Sequence, residues 1–106
     1  MGIGFNGGEL LLLAVGACYC NDLFREAQRL QVDVTNVHIE VEADWGGDPV
    51  RAKNVSFSVH VEGGSSKPQI EELIHHVDRV AEIPNSLRFG TEVSLSHYEI
   101  VSHLRS

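Results

Sequence analysis

Sulfur and positive charge are scarce in this sequence, and each shortage excludes something. Cys18 and Cys20 are the chain's 2 cysteines. Two positions apart on a helix they point about 200° away from each other, so they make no disulfide framework. Such cysteine usage fits a reduced, cytoplasmic setting. Against 15 Asp and Glu there are 8 Lys and Arg, leaving a formal net charge of -7. The cations scatter through both halves without the basic stripe that a phosphate backbone needs, which excludes nucleic acid and disfavours an acidic membrane surface. Low-complexity tracts and internal repeats are absent. With 42% hydrophobic and 22% charged residues in 106, the chain reads as one ordinary globular domain spanning residues 1–106.

The 6 histidines do not make up for the missing thiols as metal ligands. His38, His60 and His97 fall on expected strands, and His75 and His76 are neighbours on an expected helix, about 100° apart. No His-x-His or Cys-x-x-Cys spacing occurs, so the histidines are expected at the solvated surface and no metal is expected. Gly7-Gly8 lacks the preceding strand and the further glycine of a dinucleotide fingerprint, so no cofactor is expected either.

What the chain does have is an apolar run, Gly7-Gly8-Glu9-Leu10-Leu11-Leu12-Leu13-Ala14-Val15-Gly16-Ala17-Cys18, which carries a cysteine at its far end. The run is shorter than the ~20 apolar residues that span a bilayer. Val15-Gly16-Ala17-Cys18 has the form of a lipoprotein cleavage site, but no cation precedes the run and Glu9 stands at its start. The amphipathic pattern also continues through Leu23, Ala27 and Leu30, as one uninterrupted helix requires. Asn6 and Glu9 stand in capping-box spacing, predicting a helix over about 7–31. Its first half is apolar all round and its second half has Arg25, Glu26, Gln28 and Arg29 facing out, the pattern of a buried central helix.

Val37, Ile39, Val41 and Ala43 alternate with polar residues, as do Val55, Phe57, Val59 and Val61, predicting an antiparallel hairpin. Ser66 and Gln69 repeat the capping-box spacing, and Ile70, Leu73, Ile74, Val77 and Val80 form the buried stripe of a second helix, which Pro84 ends or turns. A last strand is expected over about 91–101, with Val93 and Leu95 facing inward. The expected order is helix, strand, strand, helix, strand. Three strands cannot cover two helices of this apolarity, which predicts an obligate two-fold homodimer with the leucine-rich helices packed between sheets.

The segment Glu9 to Cys18, followed by Ala27-Gln28-Arg29, resembles the central-helix signature of the OsmC/Ohr family. Val77-Asp78-Arg79-Val80-Ala81-Glu82-Ile83-Pro84-Asn85-Ser86-Leu87 is similar to that family's second-helix motif. The resemblance runs in order through nearly the whole chain. It implies an α+β fold built on a long central helix and an antiparallel sheet, an intertwined homodimer with sites at the subunit interface, and thiol-dependent reduction of small organic hydroperoxides. Cys18 then takes the place of the attacking thiol. Glu9 stands at the spacing of the carboxylate in the broader OsmC-like branch; the Ohr branch has its glutamate one residue earlier, where this chain has Gly8.

Ala81 stands where peroxidase members carry a resolving cysteine, so an oxidised Cys18 requires an external thiol reductant, or Cys20 of a second copy. Family members also carry strands before the central helix, one with an arginine that stabilises the thiolate, and this sequence starts at the helix. Spacing marks none of Arg25, Arg29, Arg51, Arg79 or Arg88 for that role. A thiolate is the form that attacks, and Cys18 lies three turns from the helix N-terminus, beyond the reach of its dipole. Continuous helix separates Glu9 from Cys18 by ~13.5 Å, which leaves Glu9 a capping role within one subunit. Two functions therefore stand: a thiol peroxidase acting through Cys18, or a redox-inactive dimer that binds an apolar ligand or serves assembly.

Overall fold

The computed structural model describes residues 6–103, as helix, strand, strand, helix, helix. Helix α1 runs Gly7–Arg29. Its capping box is formed: the Glu9 amide donates to Asn6 Oδ1 at 2.8 Å, and the Asn6 amide donates back to Glu9 Oε1 at 3.5 Å. The helix stops two residues before the expected Gln31, because Gln31 takes a left-handed φ of 58° and turns the chain toward the sheet.

Strands β1 (Asn36–Gly46) and β2 (Arg51–Glu62) pair antiparallel. Val37 faces Val61, Ile39 faces Val59 and Val41 faces Phe57, so the half-buried residues share one face and His38, Glu40, Ser58 and His60 share the other. The register shifts after Glu42, where β2 holds one residue more than β1. Asn54 sits in this bulge with φ 51° and donates to Asp44 Oδ2 at 3.0 Å. At Gly63, past the end of β2, a Cβ would stand 1.9 Å from the Asp33 carbonyl oxygen, a close approach that admits only glycine.

Helix α2 (Lys67–Val80) starts with its own capping box, Ser66 with Gln69. Ala81 separates it from a short α3 (Glu82–Arg88), which Pro84 enters without losing a hydrogen bond because first-turn amides have no helical partner. The core joins Tyr19, Leu23 and Ala27 of α1 to Leu73 and Val77 of α2 and to Ala81, with Val37, Ile39, Phe57 and Val59 packed against it from the sheet. Tyr19 is fully buried; its ring centroid lies 5.0 Å from that of Phe57 and its hydroxyl donates to the Ile74 carbonyl at 2.8 Å.

Three expectations are corrected. The final strand does not form: residues 91–103 pair with no strand, and Val93, Leu95 and Ile100 are 91%, 82% and 77% exposed. Alternation alone does not make a strand. It needs a ladder edge and an apolar face, and the face of the chain's own hairpin is taken by α1 and α2. The radius of gyration, 19.1 Å against about 13 Å for a compact domain of this length, records an arm standing off the body. Glu26, expected outward, is 7% exposed, because α2 crosses that side of α1 and brings His76 to it. For the same reason His76 is part-buried rather than a solvated surface histidine.

Helix α1 is covered on one side within the chain. Leu10, Leu13 and Phe24 remain 49%, 52% and 44% exposed. The apolar run is shorter than a membrane span, yet the 23-residue helix that contains it is long and apolar enough to cross a membrane by length and composition. Its other half carries Asp22, Arg25, Glu26 and Arg29, two of which, Asp22 and Glu26, are buried.

Candidate functional site

Cys18 lies half-buried on α1, packed against the cluster that holds Tyr19, Leu73, Val77 and Ala81. Ala81 is the point where α2 gives way to α3, and it is fully buried. A cavity of about 320 Å³ opens next to this region, between Leu11 and Val15 of α1, Asn54, Val55 and Phe57 of β2, and Pro84, Leu87 and Arg88 of α3. Leu11 and Cys18, seven residues apart, lie within about 20° of each other around the helix, and Val15 is less than a turn from Cys18. The cavity and the thiol therefore share one side of α1.

Beyond Cys18 the same side is polar. The Cys18 thiol donates to Asp22 Oδ2 at 3.9 Å, and Asp22 Oδ1 accepts from Arg25 Nη1 at 3.1 Å. One turn further, Arg29 Nη2 donates to Glu26 Oε1 at 2.9 Å and His76 Nε2 lies 2.6 Å from the same oxygen. These hydrogen bonds, first from Arg29 and then from His76, hold the Glu26 carboxyl down to about 2. Burial, reinforced by the nearby Asp78 charge, pushes the Tyr19 hydroxyl up to about 12. A sulfur, two buried carboxylates, two arginines and a histidine thus form a connected row along the α1–α2 seam.

Glu9 sits at the other end of α1, where its carboxylate closes the capping box. The helix keeps it about 13.5 Å from Cys18, so the two are not brought together within one chain. Cys20 faces a separate open groove of about 400 Å³ between α1 and β1, beside Gly16, Ala17 and Ile39. A Cβ on Gly16 would come within 3.1 Å of Val41, so glycine lets α1 lie close on β1 at this groove. Among the arginines, Arg88 is joined to Asp78, and Arg51 reaches the Pro49 carbonyl at 3.4 Å. Among the described residues, Arg25 is the arginine linked to Cys18, through Asp22. Among the described residues no group of three or more His, Cys, Asp or Glu is placed to hold a metal ion.

Sequence reasoning passed over Asp22 and misplaced Glu26, although the signal was there. Asp22 is seven residues from Val15 and Glu26 seven from Tyr19, which puts each within about 20° of a residue of the buried stripe. A carboxylate in that position is either paired or a source of strain.

The profile of the OsmC family, OsmC-like protein, matches residues 1–96. The chain belongs to the OsmC-like family. Solved structures agree on the fold. An OsmC-like protein from Mycoplasma pneumoniae superposes with a TM-score of 0.75 at 18% identity, over 85% of this chain and 66% of that one. An OsmC-like hydroperoxide resistance protein from Jannaschia sp. CCS1 gives 0.69 at 19% identity, over 98% and 73%. An organic hydroperoxide resistance protein OsmC from Legionella pneumophila gives 0.66 at 18% identity, over 82% and 64%. The OsmC-like chain thus spans just under two thirds of the length of the Mycoplasma and Legionella proteins. A search of curated proteins finds no match.

Proposed function

We propose that this OsmC-like chain is a thiol peroxidase that reduces small organic hydroperoxides through Cys18. The observation that carries this reading is Cys18 itself: a half-buried thiol packed against the core cluster that includes Ala81, on the side of α1 whose Leu11 and Val15 line a cavity. Two of the structural relatives are described as hydroperoxide resistance proteins, which supports the same substrate class.

In the reaction the Cys18 thiolate attacks the terminal oxygen of R–O–O–H. The S–O bond forms as the O–O bond breaks, and RO⁻ takes a proton to leave as the alcohol. Sulfur is oxidised to sulfenic acid. With alanine at position 81, an external thiol condenses with the sulfenic acid to give a mixed disulfide and water, and a second thiol releases Cys18 with formation of the external disulfide. The apolar part of the cavity wall, with Leu11, Val15, Val55 and Phe57, holds the R group, which favours organic hydroperoxides over hydrogen peroxide.

The working form is a cytoplasmic homodimer. The uncovered side of α1, with Leu10, Leu13 and Phe24, and the apolar arm with Val93, Leu95 and Ile100 give a second copy surface to bury. Glu9 then acts at the site of the opposite subunit or remains a cap.

The second reading, a redox-inactive dimer binding an apolar ligand, draws on the carboxylate beside Cys18 and on the alanine at position 81. Cys18→Ser separates the two. Turnover of cumene hydroperoxide with dithiothreitol that disappears in C18S, together with dimedone capture of Cys18, supports the peroxidase. Absence of turnover in the folded wild-type protein overturns it.

A further inference from the structure

Cys18, Asp22 and Arg25 occupy positions i, i+4 and i+7, one face of α1, and their side chains meet in series. The sulfur is 3.9 Å from one oxygen of Asp22, and the other oxygen is 3.1 Å from the Arg25 guanidinium. Asp22 is 6% exposed, whereas the Arg25 side chain is 58% exposed. Buried carboxylates are found with a compensating partner, and Arg25 is the partner of Asp22.

We propose that the Asp22–Arg25 pair sets the reactivity of Cys18. Asp22 holds the sulfur as a hydrogen-bonded thiol, and Arg25, by cancelling the Asp22 charge, leaves the thiolate able to form. The inference rests on the reading of Cys18 as the reactive thiol. Both groups are positioning residues: neither touches a substrate. A negative charge about 4 Å from sulfur in a poorly hydrated seam opposes a second negative charge there, and a cation paired with the first reduces the opposition.

Several other charged groups along the seam are engaged with one another, and Arg79 of α2 lines a separate groove beside Leu73 and His76. Glu26 is held by Arg29 and by His76 from α2, with Arg25 Nε 3.6 Å from it, and Arg88 of α3 is joined to Asp78 of α2. The residues that the sheet packs against the same core cluster, Val37, Ile39 and Phe57 among them, are apolar. This arrangement assigns to Arg25 the part of a helper cation, which the spacing of the arginines along the sequence left unassigned.

The test is the pH profile of iodoacetamide alkylation in a Cys20→Ser background, so that Cys18 alone is followed. In that reaction the thiol proton goes to solvent, the S–C bond forms and iodide leaves. Asp22→Asn removes the opposing charge and frees Arg25: the profile moves to lower pH and the rate at pH 7 rises about tenfold. Arg25→Gln leaves Asp22 uncompensated: the profile moves to higher pH and the rate at pH 7 falls severalfold. Opposite signs are the signature. Mere loosening of the helix accelerates both variants, and that result, or two unchanged profiles, overturns the proposal. Should D22N fail to fold, R25Q, a change at an exposed side chain, decides alone: slower alkylation supports the pairing, and unchanged or faster alkylation overturns it. The alkylation assay needs no peroxidase turnover. Shifts of opposite sign in a protein without turnover uphold the pair and overturn the peroxidase, whereas turnover with unchanged profiles does the reverse.

Discussion

Removing one oxygen atom from the core tests how α1 is fastened to α2. Tyr19 is fully buried, its ring packs on Phe57, and its hydroxyl donates to the Ile74 carbonyl across the helix seam at 2.8 Å. Tyr19→Phe keeps the ring and deletes the hydrogen bond. The carbonyl it served lies inside α2, where the helix ladder supplies another donor, so the loss is that of one net hydrogen bond, about 1 kcal/mol. Tyr19→Ala also deletes the ring and leaves a cavity, at about 3–5 kcal/mol. For a chain of this size 1 kcal/mol lowers Tm by roughly 4–8 °C. Thermal melts of wild type, Y19F and Y19A at matched protein concentration should therefore fall in that order, with the second step the larger.

The same residue carries a pH signature that Y19F lacks. The hydroxyl of Tyr19 is raised to about 12 from the ordinary 10.0, so the folded state favours the neutral phenol. Its contribution is complete below pH 10 and is lost as pH rises from 10 through about 12. The stability difference between wild type and Y19F, from urea titrations at pH 8 and pH 11, should shrink or reverse at the higher pH. A difference that stays constant, or a Y19F loss above about 3 kcal/mol at pH 8, refutes the account of Tyr19 as a single bond on a well-packed ring.

Glu26 works at the opposite end of the scale. Its carboxyl is held down to about 2 from an ordinary 4.5, so its contribution is complete above pH 4.5 and lost as pH falls through about 2. Acid titration followed by circular dichroism should show wild type losing stability in that window and Glu26→Gln losing less. Gly63→Ala drives a Cβ to 1.9 Å from the Asp33 carbonyl oxygen, which forces the β2–α2 connection apart; a loss at or above the top of the roughly 1–3 kcal/mol range of overpacking is expected in urea melts. Ser66→Ala removes the α2 cap and should cost about 1 kcal/mol. Truncation after Gly90 removes the exposed apolar arm, and sedimentation velocity should then show a weaker dimer than the full chain forms.

The parts of the fold that were legible in the sequence are those decided within a few residues. Asn6 with Glu9 and Ser66 with Gln69 form the two capping boxes that their spacing announced. The alternation of Val37, Ile39 and Val41 against Val59, Val61 and Phe57 produced the hairpin in register. Residues 91–101 failed for the complementary reason. Val93 and Leu95 alternate before the parity shifts at Tyr98 and Ile100, but a ladder edge and an apolar face are properties of the surroundings, and this chain's own hairpin offers them no free face.

The site was half legible, and helix geometry explains which half. Cys18 was marked by the run that delivers it, whereas Asp22 was passed over and Glu26 was assigned to solvent by residue type. Angle, rather than type, decides on a helix. Asp22 and Glu26 share the arc of Val15 and Tyr19, so once α2 lies along that arc its side chains and the arginines beside it must satisfy both carboxylates. His76 and Arg29 do so for Glu26, which leaves Arg25 for Asp22 and places a compensated carboxylate next to the thiol. The chemistry open to Cys18 is then set by the packing of α1 on α2 as much as by the cysteine itself. A substitution that shifted that seam, such as Leu73→Ala at a fully buried contact, should change Cys18 alkylation even though Leu73 carries no charge.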